Sequence, residues 1–189
     1  WDTMAVSSSN SGAVVGTATS AAAPTAFSME VNQLARAQSA GSAVFGSGAA
    51  VGTGSLKIQL GAWSKGDFTP DVTDGSATFA PGAAPEVSID ITAADDTLAK
   101  VAAKINAANA GVNATVLRDA AGERLLVRSS ATGEESGFRI QAMDDDGNNV
   151  DGAGLSRLAF DPENGINGLS LTQSARDTSR WVTSRTVRG

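Results

Sequence analysis

Apolar residues recur at every second position in short runs broken by glycine and proline, and one stretch alone carries a sustained helical period. Side chains two apart share a strand face, so such runs read as half-buried strands. Phe27, Met29 and Val31 alternate within Phe27-Ser28-Met29-Glu30-Val31-Asn32-Gln33-Leu34. The continuation Ala35-Arg36-Ala37-Gln38 reads equally as strand or helix. Ser55–Leu60 and Glu86–Ile91 alternate in the same way, and residues 1–25 hold one or two weak strands around Ala13-Val14-Val15. Val112–Leu117 and Arg124–Ser129 form two strands joined through Asp119-Ala120-Ala121-Gly122, the Asp and Gly suiting a short hairpin loop. Phe138–Ala142 follows as a strand after a Thr132-Gly133 turn. Residues 41–54 read as a loop rich in glycine and serine, and residues 61–85 as turns and short strands around Trp63, Phe68 and Phe79. Beyond Met143 the chain becomes acidic and loop-like, then offers a helical turn through Leu155, Leu158 and Phe160 and a short strand at Leu169-Ser170-Leu171.

The helical stretch opens at Asp95-Asp96, where a carboxylate favours the positive end of a helix dipole and accepts from its free N–H groups. Leu98, Val101, Ala102 and Ile105 fall at i, i+3, i+4 and i+7 and make one apolar stripe, with Lys100 and Lys104 off its centre. Gly111 is placed to take a left-handed conformation after the last turn. One amphipathic helix followed by hairpin strands predicts an α+β fold, the helix covering a face of a mostly antiparallel sheet. The expected division is a compact α+β unit over 51–165, with 1–50 and 166–189 forming an incomplete β-rich flanking subdomain.

The chain contains neither histidine nor cysteine. Ser-His-Asp and Cys-His catalysis and the usual zinc sites therefore lose their required groups. A net charge of −6 argues against a nucleic-acid footprint, and no apolar run approaches the ~20 residues that span a bilayer. Gly46, Gly48 and Gly52 lack the spacing of a dinucleotide fingerprint. Asp144, Asp145, Asp146 and Asp151 could in principle supply a pair of catalytic carboxylates; the simpler reading is a solvated acidic turn. Asp144, Asp146 and Asn148 partly match a calcium loop, but its glycine is misplaced and no bidentate glutamate follows. Asn113-Ala114-Thr115 fits a glycosylation sequon that strand alternation already explains. Arg176, Arg180, Arg185 and Arg188 read as a loosely held basic tail rather than an anion-binding edge. The expectation is a chain with no catalytic, metal or cofactor-binding residue, and no enzymatic role.

Three stretches, taken in order, resemble the head region of the bacterial flagellar filament cap proteins, the hook-associated protein 2 family. They are Phe27–Gln38, Gly52–Gly61, and the helix-hairpin motif that runs from Asp96-Thr97-Leu98 through Gly111-Val112-Asn113-Ala114-Thr115-Val116 to Leu125–Gly133. The resemblance spans about residues 5–175. It implies a structural protein at the extracellular filament tip, exported by the flagellar type III apparatus without a cleaved leader, self-associating as a ring-like cap and helping flagellin fold and insert. The long helical, coiled-coil-bearing segments of that family are not present here, so the chain reads as a head fragment. Two alternatives stand beside it. One is the outer domain of a flagellin, which shares the helix-hairpin motif, and the other is an adhesive module binding host mucin or glycans, with the Trp63–Phe68 loop as its contact.

Overall fold

A computed structural model of the chain describes residues 5–12, 15–19, 25–64 and 77–186. Twelve strands and one α-helix are assigned among them: β1 (Thr25–Gln33), β2 (Ser39–Ser42), β3 (Gly54–Trp63), β4 (Phe79–Pro81), β5 (Val87–Ile91), α1 (Leu98–Ala107), β6 (Val112–Asp119), β7 (Gly122–Ser129), β8 (Gly137–Asp144), β9 (Phe160–Asp161), β10 (Ile166–Asn167), β11 (Leu169–Gln173) and β12 (Ser179–Thr186). Short 3-10 turns occupy Glu134–Ser136, Gly154–Leu158 and Pro162–Asn164. The fold is α+β, as the alternation and the single apolar stripe predict. Ala13 and Val14 of the expected weak N-terminal strand, and Phe68, lie outside the described residues.

The chain divides into two compact units, Trp1–Asn32 with Arg180–Gly189, and Gln33–Ser179. In the first, β1 and β12 pair as a two-stranded sheet, where Met29 is half-buried and Val31 is exposed. The division differs from the one expected at 50/51 and 165/166. β2 is the reason: it pairs with β7 on one side and β11 on the other, which builds residues 39–42 and 169–173 into the larger unit.

That larger unit contains two sheets. In the first, β3 is central, pairing with β8 along one side and with β5 (Gly54–Ile58) and then β4 (Gly61–Trp63) along the other, while β9 and β10 extend the sheet beyond β8. The second sheet has the order β11-β2-β7-β6. α1 packs on β6 and β7 and reaches β5. Its Leu98, Val101, Ala102 and Ile105 are all buried, as the stripe requires, in a core shared with Leu56 and Ile58 of β3, Leu125 and Val127 of β7, and Phe138 and Ile140 of β8.

The helix begins later than its acidic pair suggested. Thr97 is the N-cap residue, it makes no side-chain cap bond, and the first turn holds no acidic residue. Asp95 instead closes a local turn, accepting from Thr92 Oγ1 at 2.8 Å, and pairs with Lys104 Nζ at 2.5 Å. The backbone of Asp96 accepts from Val51 N–H at 2.6 Å. At the far end the left-handed step is taken by Asn109 (φ 50) and again by Gly111 (φ 75), where an added Cβ would strike the Leu60 side chain.

Candidate functional site

Each group that the sequence singles out as chemically capable can now be placed. Asp144, at the end of β8, turns inward: its Oδ2 accepts from Leu155 N–H at 2.5 Å and Ser156 N–H at 3.4 Å, capping the 3-10 turn at Gly154–Leu158. Asn149 Oδ1 accepts from Asp144 N–H at 2.7 Å. The rest of the acidic loop is tied to its own backbone. Asp146 Oδ1 accepts from Asn148 N–H, Asn148 Oδ1 from Val150 N–H, and Asp151 Oδ1 from Ala153 N–H. These bonds are local Asx turns, the common structural use of Asp and Asn. Among the described residues no group of three His, Cys, Asp or Glu side chains is placed to hold a metal ion. No helix among them is long and apolar enough to cross a membrane.

Trp63 is not available as a sugar-stacking platform. It ends β3, is 8% exposed, donates from Nε1 to Phe138 O at 3.1 Å, and packs against Phe79 and Phe160 with ring centroids 4.8 and 5.8 Å away. The glycines at 46, 48 and 52 belong to the connection between β2 and β3. Gly52 is required there because its backbone passes against Leu155 N, 2.8 Å from where a Cβ would stand. Asn113 lies on the exposed side of β6 and donates to Ser130 Oγ at 2.9 Å.

The basic tail reading fails for Arg176. Its backbone is held in an isolated antiparallel bridge to Arg36, with Arg36 N–H donating to Arg176 O at 2.9 Å and Arg176 N–H to Arg36 O at 3.1 Å. Arg36 and Arg176 line one groove of about 500 Å3, together with Ser39, Leu171, Thr172 and Gln173. Arg180 and Arg185 fall within β12, and Arg188 lies outside the described residues. No local pattern signals the pairing of Arg36 with Arg176, because it joins positions far apart in the chain.

The buried polar groups are structural. Gln38, 1% exposed, donates from Nε2 to Phe138 O and accepts at Oε1 from Phe138 N–H, both at 3.0 Å, so one side chain makes the pair of bonds a neighbouring strand would make. Glu123 Oε1 accepts from Arg118 Nε at 2.8 Å and from Ser47 Oγ at 3.1 Å. The Arg118 bond, seconded by Ser47, holds the Glu123 carboxyl below its ordinary range against the opposing effect of burial. Asp95 is lowered too, first by Lys104 and then by Thr92. Asp161 is fully buried, and its Oδ2 accepts from Gln141 Nε2 at 2.7 Å and Asn164 Nδ2 at 2.8 Å.

With these groups occupied in holding the fold, the recognisable feature is the helix-hairpin unit of α1, β6 and β7. Residues 71–131, which contain it, match the family model described as the flagellin hook IN motif. The chain is 31% identical over 145 residues, 76% of its length, to the flagellar hook-associated protein 2 of Vibrio cholerae. It is 38% identical over 78 residues, 40% of its length, to the B-type flagellar hook-associated protein 2 of Pseudomonas aeruginosa. Among solved structures, it superposes on the D2-D3 domains of the flagellar cap protein FliD from Escherichia coli with a TM-score of 0.66. That match has 26% sequence identity and covers 88% of this chain and 74% of that one.

The two relatives are flagellar hook-associated proteins, the solved structure is a flagellar cap protein, and the matched motif is a flagellar one. The chain spans 18% and 16% of the length of the Vibrio and Pseudomonas proteins, respectively. Those relatives are structural flagellar proteins and not enzymes.

Proposed function

We propose that this chain is the head part of a flagellar filament cap, acting at the extracellular filament tip as a rigid, non-catalytic platform under which flagellin folds and inserts. The observation that carries the reading is the helix-hairpin unit, in which the apolar stripe of α1 is fully buried against β6 and β7, within the region that matches the flagellin hook IN motif. Support also comes from the fate of the polar groups. Asp144, Glu123 and Gln38 are spent on internal hydrogen bonds, so the work left to the surface is steric and interfacial. The reading includes assembly into a ring-like cap oligomer within the full-length protein, and export by the flagellar type III route without a cleaved leader. Immunogold electron microscopy with an antibody raised against this chain tests it on intact flagella of the source cell. Gold confined to filament tips is the expected result. Label spread along the shaft would replace the cap reading with a flagellin outer domain.

A further inference from the structure

Within the larger unit, the sheet of β11, β2, β7 and β6 turns one face to the core and the other to solvent. Side chains alternate between faces along a strand, and opposed residues of antiparallel neighbours share a face. Leu125 and Val127 of β7 belong to the core. Arg124, Leu126 and Arg128 therefore lie together on the outer face, both arginines exposed and Leu126 half-buried. Register extends that face sideways: Leu126 stands opposite Thr115 of β6 and Gly41 of β2, and Arg124 stands opposite Leu117, which is 50% exposed. Arg128 stands opposite Asn113 and Ser39, so no acid faces either cation across the ladder. The ion pairs among the described residues are made by Lys57, Lys104, Arg118 and Arg139. In a chain of net charge −6, this face is left cationic and partly apolar.

Gly41 is a second, independent sign. Glycine weakens a strand interior and marks places where a ligand or another backbone comes close. No neighbour among the described residues requires it here. A Cβ at this position would meet Leu125 O at 3.9 Å and Thr172 Cγ2 at 4.0 Å, which are ordinary contact distances, and its φ is not positive. Its bare backbone leaves the flank of Leu126 open.

We propose that this face receives an extended acidic segment of another protein, laid along β7. Its carboxylates pair with Arg124 and Arg128, and an aliphatic side chain between them rests on Leu126 in the space that Gly41 leaves. The spacing selects this occupant. Residues four apart on a strand lie about 13 Å apart, and an extended peptide has the same rise, so acids four residues apart with an apolar residue midway fall in step with the face. The planar fork of arginine matches carboxylates. Elsewhere the net negative charge repels an acidic partner, which orients its approach. The contact rests on the sheet and is independent of the cap reading.

Nuclear magnetic resonance titration of the isotope-labelled chain tests it with two synthetic peptides of equal composition. Glu-Thr-Leu-Thr-Glu puts both acids and the leucine on one side of an extended chain, whereas Glu-Leu-Thr-Glu-Thr puts its acids on opposite sides. The first should shift the amide signals of β7 and β2 and bind about fivefold more tightly than the second at low salt. Binding should be lost at about 1 M salt, where charges are screened beyond about 3 Å. Arg124→Glu with Arg128→Glu should weaken it about tenfold or more, and that variant should instead bind Lys-Thr-Leu-Thr-Lys. Gly41→Val should block binding with an unchanged or higher urea midpoint, since valine favours strands; an internal role for this face would leave peptide binding untouched. Circular dichroism establishes that the variants are folded. Absence of shifts, equal affinity for the two acidic peptides, or binding that survives the charge reversal or Gly41→Val overturns the proposal. Heparin shifting these signals where neither peptide does would overturn it in favour of an anionic glycan.

Discussion

Single side chains carry several of the long-range ties in the larger unit. Gln38 holds both backbone groups of Phe138, whose carbonyl also accepts from Trp63 Nε1. Replacing it by alanine leaves the Phe138 N–H buried without its acceptor, which costs about 1–3 kcal/mol. The expected outcome for Gln38→Ala is a lower urea midpoint with an unchanged denaturant slope, read by circular dichroism. Gly122 is another single-residue constraint. At φ 139 and with Phe45 O where a Cβ would stand, Gly122→Ala is strained in both conformation and space. A loss of about 1–3 kcal/mol is expected from the same measurement, with the damage centred on the pairing of Phe45 with Glu123. Neither role is written in the local pattern. Gln38 sits in a stretch that reads equally as strand or helix, and its partner lies a hundred residues away.

At the scale of elements, α1 and its hairpin were the most legible, because a stripe of four buried residues and a two-residue loop are both local signals. The loop confirms the point: Asp119 Oδ1 accepts from Ala121 N–H at 2.7 Å and Gly122 N–H at 3.2 Å, and Asp119 pairs directly with Gly122. The helix start was misplaced because an acidic pair before an apolar stripe carries the same signal whether it caps the helix or, as here, closes the preceding turn. β2 escaped detection since Ser39-Ala40-Gly41-Ser42 has neither branched nor aromatic residues, and only its two neighbouring strands make it a strand. The groove at Arg36 and Arg176 was illegible for a similar reason, being a product of register between distant segments. Asn106 shows how an element can protect another. From α1 it accepts from Ala114 N–H at 2.7 Å and donates to Ala114 O at 2.8 Å, occupying the outer edge of β6 as a strand would. Asn106→Ala uncovers that edge, and exposed edges template pairing between chains. A lower thermal midpoint together with faster growth of light scattering on heating is the expected result. Loss of stability without added scattering would limit Asn106 to an internal role.

For the whole molecule, acid is the sensitive direction. Asp95 and Glu123 have lowered folded pKa values, for which Lys104 and Arg118 are the leading causes. The unfolded chain, with ordinary values near 4, therefore binds more protons than the folded one at acid pH. Their stabilising contribution is complete above the unfolded values and is lost as pH falls through the folded ones. Urea midpoints should hold steady from about pH 7 to 5 and fall below about pH 4. In Lys104→Met the fall should be shallower, because the main cause of the Asp95 shift is gone. The larger unit also has a particular way of ending. Gln33 Nε2 donates to Asp177 O at 3.3 Å, Ala35 N–H to Thr178 Oγ1 at 3.2 Å, and Arg36 exchanges backbone bonds with Arg176. Its two ends thus leave through a single doorway, side by side, as a cassette does. Such a module can be spliced into a host hairpin, or excised and bridged by a tight turn, without either flank having to travel.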